Sequence, residues 1–149
     1  MATLLRNFNP FSNIDLHVPN AYQDLVRSLS SSDESSDELD SPPFRRMVDV
    51  WYFACCVGIG EEAYLEQSRD DQHKFHTGQV LQGDLPKIEF LLANAIAHTG
   101  DAYVVSDANQ VIAITDAYAA GGMPFVEELA QGSDTKLNNI SLHLVQKYT

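Results

Sequence analysis

Phe44-Arg45-Arg46-Met47-Val48-Asp49-Val50-Trp51-Tyr52-Phe53-Ala54-Cys55-Cys56-Val57-Gly58 is the longest apolar run of the chain and holds its only tryptophan. Phe44, Val48, Trp51 and Cys55 fall at helical spacing, and Met47, Val50, Ala54 and Val57 form a second stripe beside them. Together the stripes cover most of a helix circumference, the pattern of a helix buried on nearly all sides. A buried strand would be shorter, typically about 4–8 residues. Pro42 and Pro43 suit the start of this helix and Gly58 its C′ position. Gly58-Ile59-Gly60 lacks the preceding strand and third glycine of a dinucleotide fingerprint, so it reads as a helix stop. Asp49, the one charge within the run, is expected to pair with Arg45 or Arg46 or to cap a neighbouring helix.

Working outward toward the N-terminus, Ser30 to Ser41 is acidic and serine-rich with one apolar residue. Such a run buries too little to offset ordering entropy and is predicted to be a disordered loop. Before it, Pro19 to Leu29 carries Tyr22, Leu25, Val26 and Leu29 at helical spacing. Ile14 to Val18 reads as a short extended arm. Met1 to Asn13 is polar, with Phe8 and Phe11 as anchors.

Toward the C-terminus, Glu61 to Gly83 reads as a long surface loop with at most one short strand pair. Asp84 caps the next helix, with Pro86 in its first turn, and Gly100 ends it. Ile88, Leu91, Leu92, Ala95 and Ile96 make its apolar face. Tyr103-Val104-Val105 reads as extended. Ser106 or Asp107 caps a helix closed by Gly121-Gly122, Pro124 opens another that stops at Gly132, and Thr135 caps a last one through Leu137, Ile140, Leu144 and Tyr148. The expected fold is all-α, a compact single domain of about five or six helices. Residues 1–29 form its arm and first helix, residues 30–41 the loop and residues 42–149 the helical core.

The chain has 149 residues, enough for one domain without a metal or disulfide staple. Its net charge is -12, from 9 basic and 21 acidic residues. That balance opposes a protein that grips phosphate backbones, so no direct nucleic-acid binding is expected. Cys55 and Cys56 are adjacent on the buried helix and read as small core residues of a reducing compartment. No signal-peptide core and no span-length apolar run appears, so the protein is expected to be cytoplasmic and without a membrane partner.

No catalytic constellation is complete. His73 and His76 stand at a spacing metals use, but nothing adjacent completes a ligand set. No Gly-x-Ser-x-Gly elbow, Walker loop or His-Glu-x-x-His is present. No cofactor is implied.

Three pieces carry a resemblance: Phe44-Arg45-Arg46-Met47-Val48-Asp49 with the run to Gly58, Ala95-Ile96-Ala97-His98-Thr99-Gly100-Asp101, and Asp116-Ala117-Tyr118-Ala119-Ala120-Gly121-Gly122-Met123. In order and rough spacing they resemble the fourth dnd system-associated protein family, small proteins found beside bacterial DNA phosphorothioation genes. Asp116 stands where that family has glutamate, the Glu61–Gly83 segment diverges, and the acidic run lies outside the pattern. The resemblance implies an accessory protein of a prokaryotic DNA-modification or phage-defence system. The expected function is therefore that of an adaptor acting by protein–protein interaction, with Asp49, Asp116, Tyr118, Gly121 and Gly122 as candidate partner-binding residues. Two alternatives stand beside it. One is a small metal-dependent enzyme using His73 and His76 with Asp49 and Asp101. The other is an acidic DNA mimic.

Overall fold

The computed structural model describes residues 7–30, 42–131 and 144–147. The acidic run from residue 31 to 41 and the predicted cap at Thr135 lie outside the described residues. So do Gly132, Leu137, Ile140 and Tyr148. The fold is all-α with one two-stranded antiparallel sheet. Strand β1 is Asp15–Pro19 and is followed by helix α1, Gln23–Leu29. Helix α2 is Met47–Gly60, strand β2 is Gln72–Thr77, helix α3 is Leu85–Thr99 and helix α4 is Ala108–Ala130. Among the described residues no helix is long and apolar enough to cross a membrane.

Helix α2 is the core helix that its apolar stripes predict. Val48, Val50, Trp51, Ala54, Cys55 and Val57 are all buried. It begins later than Pro42 and Pro43 suggest, because Arg46 is the N-cap. The Arg46 backbone N–H donates to Asp49 Oδ2 at 3.2 Å, and the Arg46 guanidinium reaches Asp49 Oδ1 at 3.1 Å. The acid thus closes the first turn of its own helix.

Gly58 is not a helix stop. The helix runs on to Gly60 and closes in a Schellman arrangement, with Glu62 N–H donating to Ile59 O at 3.1 Å and Ala63 N–H to Gly58 O at 2.8 Å. Glu62 occupies the left-handed position at φ 55°. Gly58 serves a different purpose: a Cβ there would lie 2.0 Å from the Tyr118 carbonyl oxygen.

The second correction concerns Gly121, Gly122 and Pro124. The helix does not close at Gly121-Gly122 and no second one opens at Pro124; α4 is one helix of 23 residues with Pro124 inside it. The proline removes the N–H that would bond the Ala120 carbonyl. Both glycines are buried against backbone. A Cβ on Gly121 would meet Ala63 O at 2.0 Å, and one on Gly122 would meet Ala54 O at 1.9 Å. The three glycines let α2, the chain leaving it and α4 touch main chain to main chain, which any side chain would prevent.

Helix α3 has its predicted caps. Asp84 accepts from Lys87 N–H at 3.4 Å, and Gly100 turns left-handed at φ 70°. Ile88, Leu91 and Ala95 are buried as expected, but Ile96 is 37% exposed and Asn94 takes a buried place instead. The Ala102–Ser106 segment is a 3-10 turn rather than extended, because Asp101 Oδ1 accepts from Tyr103 N–H at 2.9 Å and closes it. Glu61–Gly83 contributes one strand, β2, and its partner is not within that segment but in the extended arm around Ile14 to Val18, so the chain has its one short strand pair between two distant segments. The ladder is irregular between Leu16 and His17, where Phe75 is the extra residue on β2.

Candidate functional site

His17 follows the β1–β2 irregularity, pairs with Lys74 and meets Asp116 of α4. Its backbone N–H donates to Asp116 Oδ1 at 3.0 Å. Its ring Nδ1 lies 3.0 Å from Asp116 Oδ2. From the opposite side, the Trp51 indole N–H donates to Asp116 Oδ1 at 3.0 Å. A carboxyl group only 9% exposed is therefore met by N–H groups from β1 and α2 at once. The fully buried Trp51 ring packs beside Phe75 at 6.1 Å between centroids. The buried aromatic at the centre of α2 thus also orients an acid of α4.

Electrostatics follow from this packing. Burial pushes the Asp116 carboxyl up from its ordinary value, and the bonds from His17 and Trp51 work against that push. The hydrogen bond to Asp116 pushes His17 up, with burial acting in the opposite sense. Both shifts favour a proton held within the pair, and the geometry puts it between His17 Nδ1 and Asp116 Oδ2.

The pair stands in the wall of an open cleft of about 670 Å³. Asp15, Glu66 and Arg69 supply charge to its lining, and Asn13, Gln67, Gln72 and Asn109 supply carboxamides. Asp15 is neutralised by Lys74 at 3.0 Å. Tyr64 also lines the cleft and stacks on His98 at 4.4 Å, and His98 Nδ1 lies 2.9 Å from the Tyr118 hydroxyl. An aromatic trio therefore backs the cleft beside the acid–histidine pair.

The residues singled out from the sequence divide. Asp116 lines the cleft, and Tyr118 lies behind it, half-buried. Gly121 and Gly122 are buried in the contact with α2, so any effect they have on a partner is indirect. Asp49 is engaged by Arg46, and Asp101 caps the 3-10 turn. His73 and His76 both stand on β2, and His76 Nδ1 accepts from Thr77 N–H at 2.8 Å. Among the described residues no group of three or more His, Cys, Asp or Glu side chains is placed to hold a metal, so the structure does not bring these four residues together as ligands. Burial pushes the thiols of both Cys55 and Cys56 up, which disfavours reactive thiolates.

Sequence reasoning missed two features. His17 gives no local signal, since its partner Asp116 lies 99 residues away. The second is the outward face of α3. Pro86, Phe90, Ala93, Ile96 and Ala97 are all exposed on one side of that helix, with Glu89 as the charge among them. Tyr103, just beyond, is 84% exposed. A surface helix ordinarily shows polar residues outward. The apolar face read from the sequence takes in Ile96 but not Phe90, Ala93 or Ala97.

The family described as DNA sulphur modification system-associated protein 4 matches residues 16–149. No curated protein and no solved structure matches the chain.

Proposed function

The chain belongs to the DNA sulphur modification system-associated protein 4 family, and we propose that it serves such a system as an adaptor that binds a partner protein. The observation that carries this reading is the outward face of α3. Phe90, Ala93, Ile96 and Ala97 present apolar surface to solvent, and the nearly free ring of Tyr103 follows them. A helix that is apolar on both sides loses hydration free energy unless something covers the second side. Aromatic residues of this kind anchor protein interfaces. The net charge of -12 opposes direct docking on a phosphate backbone, so the partner is a protein component of the system rather than its DNA. Asp116 and Tyr118, at and behind the cleft, belong to a second surface that the partner reaches if its footprint extends beyond α3.

Co-purification from cells carrying a DNA sulphur modification system tests the proposal. Tagged wild-type chain is expected to retain a protein encoded by that system, identified by mass spectrometry. Ala93→Glu and Tyr103→Ala are expected to lose it while remaining folded. Retention of the same protein by both variants would remove α3 as the docking face.

A further inference from the structure

The Asp116–His17 pair does more than hold β1 against α4. Asp116 is buried and fixed by His17 and Trp51, so its orientation is set before anything enters the cleft. Its Oδ2 engages His17 Nδ1 at 3.0 Å, which places the ring proton on Nδ1 and leaves Nε2 as a lone-pair acceptor. His17 lines the 670 Å³ cleft, and Nε2 is the ring nitrogen left for a molecule bound there. A buried carboxylate behind an imidazole that borders a cleft is the constellation of a general base.

The lining narrows the chemistry. It contains no serine, threonine or cysteine, so an acyl-enzyme route through those nucleophiles has no residue to use. With Asp15 paired to Lys74 and His17 neutral as a base, Glu66 and Asp116 face the single guanidinium of Arg69, a balance that disfavours an anionic phosphodiester. The carboxamides of Asn13, Gln67, Gln72 and Asn109 match the donors and acceptors of an uncharged ester or amide. We infer that His17 acts as a general base in the cleft, positioned by Asp116, for direct hydrolysis of a neutral acyl substrate by water.

The step balances without a co-reactant. Water gives a proton to His17 Nε2 as its oxygen bonds to the acyl carbon. Negative charge gathers on the carbonyl oxygen, where Arg69 and carboxamide N–H groups of the lining are available to meet it. The bond from the acyl carbon to the leaving oxygen or nitrogen then breaks, and that atom takes the proton from Nε2. The charged groups that set the His17 titration are Asp116 on α4, Asp15 on its own strand and Lys74 on β2; Glu66 and Arg69 are the other charged groups of the cleft lining. The inference goes beyond partner binding and is tested on the isolated chain, so each reading fails separately.

The probe is p-nitrophenyl acetate, followed against pH with wild type, His17→Gln and Asp116→Asn, each checked for folding by circular dichroism. Wild type is expected to exceed His17→Gln by roughly 100-fold or more, the usual contribution of a general base. In Asp116→Asn the amide N–H₂ faces Nδ1, forces the proton onto Nε2 and removes the acceptor. Activity falls, and the pH at which the rate rises moves to lower pH together with the His17 titration followed by nuclear magnetic resonance; a purely structural role of Asp116 would move the titration and leave the pH–rate profile where it was. Equal rates in wild type and His17→Gln overturn the inference. So does a wild-type rate no greater than that of free imidazole at five equivalents, matching the five histidines of the chain; this arm does not depend on any variant folding. Turnover of bis(p-nitrophenyl) phosphate in place of the ester overturns the substrate class.

Discussion

Gly122→Ala probes the contact on which the α2–α4 packing rests. The added Cβ would lie 1.9 Å from Ala54 O, 2.8 Å from Gly58 N and 2.9 Å from Ala54 C. The shortest of these falls about 1.5 Å short of ordinary van der Waals separation. All three neighbours are backbone, so no flexible side chain swings aside. The helices must separate, and separation also loosens Gly58 against Tyr118 and the Trp51 bond to Asp116. Overpacking of this sort costs about 1–3 kcal/mol and at times more, and backbone neighbours place this site at the upper end. Replacing a helical glycine by alanine returns about 1 kcal/mol. The net expectation is a loss of about 2–4 kcal/mol. For a chain of this length that lowers the melting temperature by roughly 5–15 °C, read by thermal unfolding in far-ultraviolet circular dichroism. Gly60→Ala is the internal control, because a Cβ there meets nothing within 4 Å. It is expected to leave stability unchanged or raise it by up to about 1 kcal/mol. A Gly122→Ala protein as stable as wild type would refute the main-chain contact.

Other outcomes follow from the same geometry. Trp51→Phe keeps most of the ring volume but takes one donor from the buried Asp116, at an expected cost of about 1–3 kcal/mol in urea unfolding. Glu62→Gly relieves a left-handed residue at the end of α2 and is expected to raise stability by up to about 1 kcal/mol. His17 is raised from 6.5 in the folded chain, so its stabilising contribution is complete below that value and is lost as pH rises through the folded value. The stability advantage of wild type over His17→Gln, measured by urea unfolding, is therefore expected to be largest at acid pH and to shrink as pH rises above 6.5.

The parts of the fold legible in the sequence are those fixed by local chemistry. The all-round apolar pattern of α2, the Asp84 cap and the Gly100 stop of α3, and the extended arm at Ile14 to Val18 each declare themselves within a few residues. The glycines do not. A glycine that ends a helix and one that admits a neighbouring backbone look alike in sequence, and only the approach of Ala54, Ala63 and Tyr118 separates them. Val104 and Val105 favour extension by their branching, but the Asp101 side chain closes the turn around them. The site divides in the same way. Asp116 is picked out by the family resemblance, where it stands in place of glutamate, whereas His17 and the indole of Trp51 reach it only through tertiary packing. Ile96 counted toward the inner face of α3 because 3.6-residue periodicity places it at the border of two apolar faces, one buried and one open.

The adaptor reading is tested most directly by hydrogen–deuterium exchange on the chain alone and in complex with a protein co-purified from its DNA sulphur modification system. The account predicts protection gained at residues 86–105, where Phe90, Ala93, Ile96, Ala97 and Tyr103 present their surface. Protection elsewhere, with exchange across α3 and Tyr103 unchanged, would contradict it.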